Sequence, residues 1–485
     1  MTNPPGGILG SRYIWSTVGT FSLVFLAAFE NLAVTTVMPL ISALLDGSSL
    51  YALAFAGPLA VGIVGMVVGG NWSDRNGPKP TLYASVLLFV IGLLIAGTAP
   101  SMWMLVIGRL VAGLGGGAVT VALYVIVARV YPARLQPAIF GAFAAAWVVP
   151  SLVGPFVAGV VAQYTSWHWV FLGVVALVVP AVVMVWPAMR GLPRVRAAEP
   201  VGESVRERPA WSAARIAWSV LAALAVLGID LSADAGGWVR WVGAAVAVAV
   251  ALIALRPLMP AGTMRVAKGL PGVIVTRGML AGAYFGAEVY VPYLLTSEYR
   301  LAPSQAGLAL TAAGVAWAAS SWLQGRAGET LTHRASARLG VAIVSVALLA
   351  LLSATAFGWP TWTVIAVWTV GGAGMGLAYP RLSVLTLAAS TPLNQGFNSS
   401  AMSIADSAGA ATAIAGTGIV FAALAPLGPL ASFSGCFVLS IVFSFGAAAA
   451  SSRISARDAS GDALARDGMS DGPGTMSEAG GTMQA

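Results

Sequence analysis

Three acidic residues lie within long apolar runs of the sequence, where a carboxyl group is costly to keep. They are Glu30, Glu288 and Asp406, whereas most other acidic residues fall in short polar connections or near the C-terminus. Burial disfavours the charged form of a carboxyl group, so each of these groups readily holds a proton. Glu30 and Glu288 lie at similar depths in their runs, which indicates proton or cation recognition. Asp406 could equally be held for structure by a hydroxyl group or by the polar connection that follows the second apolar run.

Aromatic and amide side chains in the same kind of run could line a cavity beside these acids. Aromatic faces attract organic cations, and a buried carboxylate strengthens that attraction. The candidates on these grounds are Asn31, Trp147, Tyr284, Tyr290 and Trp317. Packing in a core is the commoner role of any single aromatic residue, and it stays open for each of them.

The composition places these residues in a membrane. Of the 485 residues, 58% are hydrophobic and 9% are charged, and the mean hydropathy is +0.86. A soluble domain carries about 25% charged residues. We therefore expect an all-α integral membrane protein, because lipid obliges the backbone to satisfy its hydrogen bonds internally and the alternating pattern of a membrane barrel is absent.

Fourteen apolar runs are long enough to cross a bilayer as helices, which takes roughly 20 residues each. The two central runs could instead be interfacial helices, which would leave twelve spans. The predicted spans are 13–37, 51–70, 80–98, 102–130, 137–163, 167–187, 213–231, 237–256, 273–296, 304–325, 337–357, 360–386, 396–422 and 429–452.

Basic residues in the connections predict the orientation of these spans. Lysine and arginine are enriched on the cytoplasmic side of a membrane. With a cytoplasmic N-terminus, nearly all of them count with cytoplasmic connections, including Arg277 at the start of the ninth span, while the opposite connections hold Arg240 and Arg300. We therefore expect both termini in the cytoplasm. The Ala-, Arg- and Gly-rich composition is typical of a high-GC bacterium, so the inner membrane is the expected location.

Several classes of protein are disfavoured by what the sequence lacks. Cys436 is the one cysteine, and His168 and His333 make a poor ligand set, so we predict neither a disulfide nor a metal site. No Walker lysine follows a glycine-rich loop, so ATP is not the expected energy source. The net charge of +8 reflects the basic connections rather than a surface for nucleic acid. We predict no cofactor, and no enzyme activity because no nucleophile, base and orienting group recur together.

The connection predicted after the second span resembles a signature of the major facilitator superfamily. The matching residues are Gly70, Asp74, Arg75, Gly77 and Lys79, with Pro78 where a basic residue is usual. An acid can bind the N-terminus of a neighbouring helix, and an arginine can bind a carboxylate. Such contacts could latch two helical bundles together in one state. An ordinary turn with solvated charges is the alternative.

The fourth and fifth spans continue this resemblance. Arg109 with the glycines at 113–117 is similar to the superfamily's arginine–glycine motif, which is linked with proton transfer. An arginine inside a span costs about 2.5–3.5 kcal/mol, so Arg109 needs a partner or water unless it reaches the nearby interface. The glycine–proline motif of the superfamily's antiporters is matched in the fifth span, where small residues allow close packing and proline bends the helix. Its residues are Pro150, Gly154, Pro155 and Gly159.

The first span narrows the resemblance to one family. Glu30 and Pro39 keep the spacing between an acid and a proline that is usual in the drug:proton antiporter family with fourteen spans, although that family usually has aspartate. The order of the motifs is similar to that family as far as residue 452. The resemblance implies a major facilitator fold of two six-helix bundles plus two extra central helices.

The predicted organisation has five parts. They are a cytoplasmic N-terminus (1–12), an N-terminal six-helix bundle (13–187), a cytoplasmic linker (188–272) with two extra transmembrane helices (213–231 and 237–256), a C-terminal six-helix bundle (273–452) and a disordered cytoplasmic tail (453–485).

The resemblance implies secondary active transport, in which a monomer exports amphipathic or cationic drugs in exchange for protons by alternating access. Its partners would be small amphipathic substrates, protons and the lipid bilayer. Protonation of Glu30 or Glu288 would neutralise a buried charge and favour one facing state. Proton-coupled uptake of a metabolite, lipid export, and a non-transporting scaffold or receptor stay open. Few amides in the spans disfavour a sugar carrier, and acids within spans disfavour a scaffold.

Overall fold

The computed structural model describes residues 8–10, 13–132, 135–190, 212–326, 332–390 and 394–454. This part of the chain folds into fifteen α-helices and contains no β-strand, so the predicted all-α class is confirmed. The helices are α1 (Ile14–Leu44), α2 (Leu53–Asn76), α3 (Pro78–Gly97), α4 (Met102–Val130), α5 (Gln136–Tyr164), α6 (His168–Arg190), α7 (Ala213–Leu231), α8 (Gly237–Leu255), α9 (Leu270–Glu288), α10 (Tyr290–Ser297), α11 (Pro303–Arg326), α12 (His333–Ala356), α13 (Thr361–Ala388), α14 (Gln395–Leu424) and α15 (Pro429–Ser451).

Twelve helical segments in these ranges are long and apolar enough to cross a membrane, so the chain is a multi-pass membrane protein. Helix α5 and the α9–α10 segment are not among the twelve. Most of the predicted linker and of the predicted tail, at 191–211 and 455–485, lies outside the described residues.

Helices α1 and α2 extend beyond their predicted spans. Helix α1 continues through Pro39 to Leu44, because backbone groups freed by a proline can be satisfied by neighbouring groups in a helical bundle. Helix α2 continues to Asn76, so the first part of the signature predicted as a connection is helical. Gly77 alone separates α2 from α3. Its φ of 86° ends α2, and Pro78 occupies the first position of α3, where its missing N–H is harmless.

The helices form two sets that share one packing pattern. In the first set, α1–α6, helix α4 packs on α2 and α3, while α1 packs on α5 and α6. In the second set, α9–α15, helix α13 packs on α11 and α12, while α9 packs on α14 and α15. The sets meet mainly along two seams, α2–α14 and α5–α11, with smaller contacts of α1 on α10 and α11.

Successive long helices reverse direction, so their connections alternate between two ends of the molecule. We call these ends the Tyr51 end, which holds the α1–α2 connection, and the Gly77 end, which holds the α2–α3 connection.

The two central helices belong to the α2–α14 seam. Helix α7 packs on both α2 and α14, and α8 packs on α7. At the Gly77 end, the backbone N–H of Ser212 donates to Oδ1 of Asn71 at 3.1 Å. Arg215 places its guanidinium 5.4 Å from the centre of the Phe397 ring. Helix α7 therefore contacts both sets rather than forming a free linker.

Glycines on α4 allow its close approach to α2. A Cβ on Gly117 would lie only 2.9–3.0 Å from backbone carbon atoms of Gly62 and closer still to its oxygen. A Cβ on the adjacent Gly116 would meet nothing nearer than the Phe89 ring, at 3.8 Å. The two glycines therefore differ in function, because close helix packing requires Gly117 but not Gly116.

We expect Gly117→Ala to destabilise the protein by about 1–3 kcal/mol, because backbone atoms of α2 cannot move aside as a side chain could. Gly116→Ala is the matched control and should be neutral, or stabilising by up to about 1 kcal/mol, since alanine favours helices. Thermal unfolding of both purified variants in one detergent measures the difference. Equal melting temperatures would contradict this account of the α2–α4 contact.

Candidate functional site

Glu30 and Arg109, singled out from separate motifs, form an ion pair between α1 and α4. Both side chains are buried, with relative exposures of 4% and 3%. Arg109 also donates from Nε to the carbonyl oxygen of Ala54 at 2.8 Å, and its guanidinium lies 5.8 Å from the centre of the Phe55 ring. Three helices thus hold the arginine inside the first set, and it does not extend to an interface. The positive charge of Arg109 therefore neutralises the negative charge of Glu30.

Glu288 lies at a break in the helix predicted as one span over 273–296. Pro292 has no N–H to bond the carbonyl oxygen of Glu288, and its ring crowds that carbonyl. Helix α9 accordingly ends at Glu288, and α10 begins at Tyr290. Tyr51 of the first set donates from its hydroxyl group to the carbonyl oxygen of Val289 at 2.8 Å. The break therefore places a carboxyl group beside a contact between the two sets.

The Glu288 side chain differs from Glu30 in its surroundings. It is 9% exposed, yet among the described residues no cation or hydrogen-bond donor pairs with its carboxyl group. A buried carboxylate without such a partner is costly, whereas a neutral carboxylic acid is tolerated. Glu288 is therefore suited to hold and release a proton.

Asp406 is paired with Arg277, a residue that sequence reasoning misplaced. Nε of Arg277 donates to Oδ1 of Asp406 at 2.8 Å, and the hydroxyl group of Tyr379 donates to the same oxygen at 2.8 Å. The guanidinium lies 3.4 Å from the centre of the Tyr379 ring. The prediction that Arg277 belongs to a connection was wrong, because Arg277 lies within α9. The signal was present, since Arg277 and Glu288 are about three helical turns apart in one run and so share a face.

Two of the predicted cavity aromatics lie together near this pair. Tyr284 stacks on Trp368, with ring centres 4.6 Å apart, and meets Trp317 edge-on at 5.7 Å. Trp317 in turn meets Tyr379 edge-on at 5.2 Å. Trp368, which the sequence reading did not single out, completes this aromatic cluster of the second set.

The other three cavity candidates lie elsewhere. Tyr290 stacks on Phe421 at the Tyr51 end, with ring centres 5.3 Å apart. Asn31 donates to the carbonyl oxygen of Ala27 in its own helix at 2.8 Å. Trp147 is half exposed on α5, and no ring contact between described residues joins it to the aromatic cluster. Of the predicted cavity residues, Tyr284 and Trp317 therefore lie together, and Asn31, Trp147 and Tyr290 lie apart from them.

The glycine–proline motif of α5 lies largely on the α5–α11 seam. A Cβ on Gly159 would lie 2.7 Å from Cα of Ser304, and one on Gly314 would lie 2.8 Å from the carbonyl carbon of Ser151. Pro155 likewise approaches Gly307, while Gly154 faces Phe29, and Pro150 is buried. Small residues on both helices thus hold the two sets together in the half of α5 nearer the Tyr51 end.

The signature at the Gly77 end is more exposed. Asp74 and Lys79 are exposed, Gly70 makes an ordinary contact with Val121, and Asp74 lies near enough to Arg129 of α4 to be attracted by it. Within the described ranges, neither a hydrogen bond nor an ion pair joins Asp74, Arg75 or Lys79 to the second set. The latch between the sets stays a prediction.

Replacing Tyr379 by phenylalanine should weaken the Arg277–Asp406 pair while keeping the ring under the guanidinium. A hydrogen bond to a charged group contributes about 1.5–3 kcal/mol, so we expect a loss of stability of that size. Thermal unfolding of the purified protein measures it. Tyr299→Phe is the control, because Tyr299 donates to a backbone carbonyl at an exposed site. A loss no larger than in that control would show that the Tyr379 bond does not support the pair.

Two like sets of membrane helices, each with a charged pair in its interior, define a secondary transporter in architecture. The sequence profile of the Major Facilitator Superfamily matches residues 20–287, which is more than half of the chain. The chain belongs to the Major Facilitator Superfamily, whose members are transporters rather than enzymes.

Comparison with curated proteins gives relatives of two kinds. A probable multidrug-efflux transporter of Mycobacterium tuberculosis is 28% identical over 397 residues, which cover 77% of this chain and 80% of that protein. An uncharacterised MFS-type transporter of Schizosaccharomyces pombe is 34% identical over 166 residues, which cover 34% of this chain and 28% of the yeast protein. The match thus spans less than a third of that yeast relative, and the same holds for two similar yeast proteins.

Solved structures agree on the fold. A D-xylose–proton symporter superposes with a TM-score of 0.63 at 15% identity, covering 90% of this chain and 97% of the symporter. A POT family transporter in complex with 5-aminolevulinic acid superposes with a TM-score of 0.64 at 13% identity, covering 88% and 94%. The predicted major facilitator fold is therefore confirmed.

Proposed function

We propose that this transporter is a proton-coupled antiporter that exports amphipathic or cationic drugs by alternating access. The observation that carries the proposal is the buried Glu288 carboxyl group, which has no basic partner among the described residues, whereas Glu30 and Asp406 each have one. A group in that setting gains or loses a proton with a large change in its interactions. The resemblance to a probable multidrug-efflux transporter supports drugs as the cargo.

Fourteen spans fit this proposal better than twelve. They would be α1–α8, α9 together with α10, and α11–α15. Arg277 and Glu288 make the α9–α10 segment more polar than an ordinary span. In the proposed function, Glu288 carries the proton and Arg277 pairs with Asp406. Two six-helix bundles, α1–α6 and α9–α15, would then be joined by a segment that contains α7 and α8, as in the drug:proton antiporter family.

Basic residues support a cytoplasmic Gly77 end. Arg75, Lys79 and Arg129 lie there, as does Arg215 at the start of α7, while Arg240 and Arg300 lie at the Tyr51 end. By the positive-inside rule, both termini would be cytoplasmic in a bacterial inner membrane. The close α5–α11 seam and the Tyr51–Val289 bond would then close the outer side of the transporter.

In the proposed cycle, each buried group has its own role. Glu288 would take a proton from the outside and release it to the cytoplasm, and its charged form would attract a cationic substrate. The Glu30–Arg109 and Arg277–Asp406 pairs would hold the helices around it. The aromatic cluster of Tyr284, Trp317 and Trp368 would offer flat apolar faces to the drug. One charge crossing 100 mV supplies about 2.3 kcal/mol, besides any pH gradient.

The function is tested with purified protein in liposomes that have an acidic interior and enclose a pH-sensitive dye. A lipophilic cation such as tetraphenylphosphonium, added outside, should make the interior more alkaline several-fold faster than in liposomes without protein. A panel of neutral drugs and sugars is added in parallel. Proton movement driven only by a sugar would replace export with metabolite uptake. No proton movement with any compound, in protein shown to be folded, would reject proton coupling.

A further inference from the structure

A small cavity lies at the Tyr51 end, where both helical sets meet the added helix α7. Its volume is about 60 Å³, several times the roughly 10–15 Å³ that holds one water molecule. Helix α7 contributes Asp230, the α1–α2 connection contributes serines and Tyr51, α10 contributes two tyrosines, and α14 contributes Phe421. The first set, the second set and helix α7 therefore each contribute residues to the cavity lining.

The aromatic part of the wall is tightly arranged. Tyr51 and Tyr293 have ring centres 4.8 Å apart, Tyr293 and Phe421 are 5.6 Å apart, and Tyr51 and Tyr290 are 5.7 Å apart. Several aromatic rings that line one cavity are suited to bind alkylammonium groups, because each ring carries a negative face.

Asp230 supplies a carboxylate to the same cavity. It is 6% exposed although it lies in the last turn of α7. The C-terminal end of a helix carries a partial negative charge, so the end of α7 and the Asp230 carboxylate would both attract a cation in the cavity. Gly418 of α14 leaves room for this side chain, since a Cβ at Gly418 would lie 3.4 Å from Oδ1 of Asp230.

Together these features select one kind of ligand. A divalent metal needs about six oxygen ligands and favours carboxylates, whereas this wall offers a single carboxylate, with hydroxyl groups and aromatic rings. An anion would be repelled by the Asp230 carboxylate. We propose that the cavity formed by Asp230, Tyr51, Tyr290, Tyr293 and Phe421 is a recognition site for organic ammonium groups at the exit of the transporter. The proposal rests on the proposed function in taking cations as cargo and in taking the Tyr51 end as the side where they leave.

Binding of tetramethylammonium to the purified full-length protein tests the site by calorimetry at constant ionic strength. Asp230→Asn should weaken binding roughly tenfold or more, because it removes the charge that faces the ligand. Asp46→Asn is the matched control and should change nothing. Asp46 is an exposed acid at the same end, and asparagine tolerates its positive φ of 48°.

A second pair of variants separates the contribution of the aromatic rings to binding from that of the Asp230 charge. Tyr293→Phe keeps the aromatic face and should bind as the wild type does, whereas Tyr293→Leu should bind several-fold more weakly. Sodium and potassium should not compete at equal concentration, because hydrated inorganic ions do not match a cage of rings. Tetramethylammonium binding that Asp230→Asn and Tyr293→Leu both leave unchanged would overturn the proposal, as would no binding to the wild type.

The result is independent of transport. If drugs drive proton movement in liposomes but tetramethylammonium binding does not depend on Asp230, this site fails while the proposed function stands. If tetramethylammonium binds at Asp230 but no drug drives proton movement, the site stands and the proposed function fails.

Discussion

Replacing Glu288 by glutamine should abolish drug-driven proton movement in liposomes and leave the protein folded. Glutamine has the same size and can occupy the same buried place, and no partner in the described part of the chain loses an ion pair. It cannot carry a proton at the carboxyl position, so the coupling step is lost. We expect a fall in the drug-dependent rate to the level of liposomes without protein.

The matched control for this variant is Glu298→Gln. Glu298 is exposed beyond the end of α10, ten residues after Glu288, so the same chemical change occurs outside the buried site. That variant should retain the wild-type rate. Full proton coupling in Glu288→Gln would remove Glu288 from the mechanism and transfer the role to another acid.

The second large effect concerns the buried pair of Glu30 and Arg109. Arg109→Met should destabilise the protein by about 3–5 kcal/mol, because it leaves a buried carboxylate without its cation. The double variant Glu30→Gln with Arg109→Met removes both charges. It should therefore be more stable than Arg109→Met alone, although it carries one more substitution.

Thermal unfolding of the wild type, the two single variants and the double variant gives the coupling energy directly. Arg129→Met serves as the control, because Arg129 lies at the Gly77 end of the same helix and outside the buried pair. If the effects of Glu30→Gln and Arg109→Met simply add, the two side chains do not stabilise each other, and the pair is only a close approach.

The fold was largely predictable from hydropathy, because a helix that crosses lipid needs a long apolar run, and such runs can be recognised in the sequence. The ends of the helices were less predictable. Helix α2 goes on through polar residues to Asn76, since a helix can continue past the apolar layer into a more polar region. That continuation moved Asp74 and Arg75 from a predicted connection onto a helix.

The candidate site was predictable in its acids but not in its pairing. Glu30 and Arg109 were both visible as charges in apolar runs, yet they are 79 residues apart, and only packing of α1 on α4 brings them together. Arg277 was missed for a different reason. Counting basic residues as markers of the cytoplasmic side assigns every arginine near a span end to a connection, so an arginine held inside by Asp406 is overlooked.

Helix α7 makes the two seams of this transporter unequal. Ser212, just before α7, bonds to Asn71 of α2, and α7 lies against α14 at Phe397 and Gly418. At the α5–α11 seam, the described neighbour is α1, which makes only a smaller contact with α11. A rocking motion of two six-helix bundles around a symmetric axis would load both sides alike. In the proposed cycle, the extra contacts of α7 would hold the α2–α14 side together, and we expect the wider movement on the α5–α11 side.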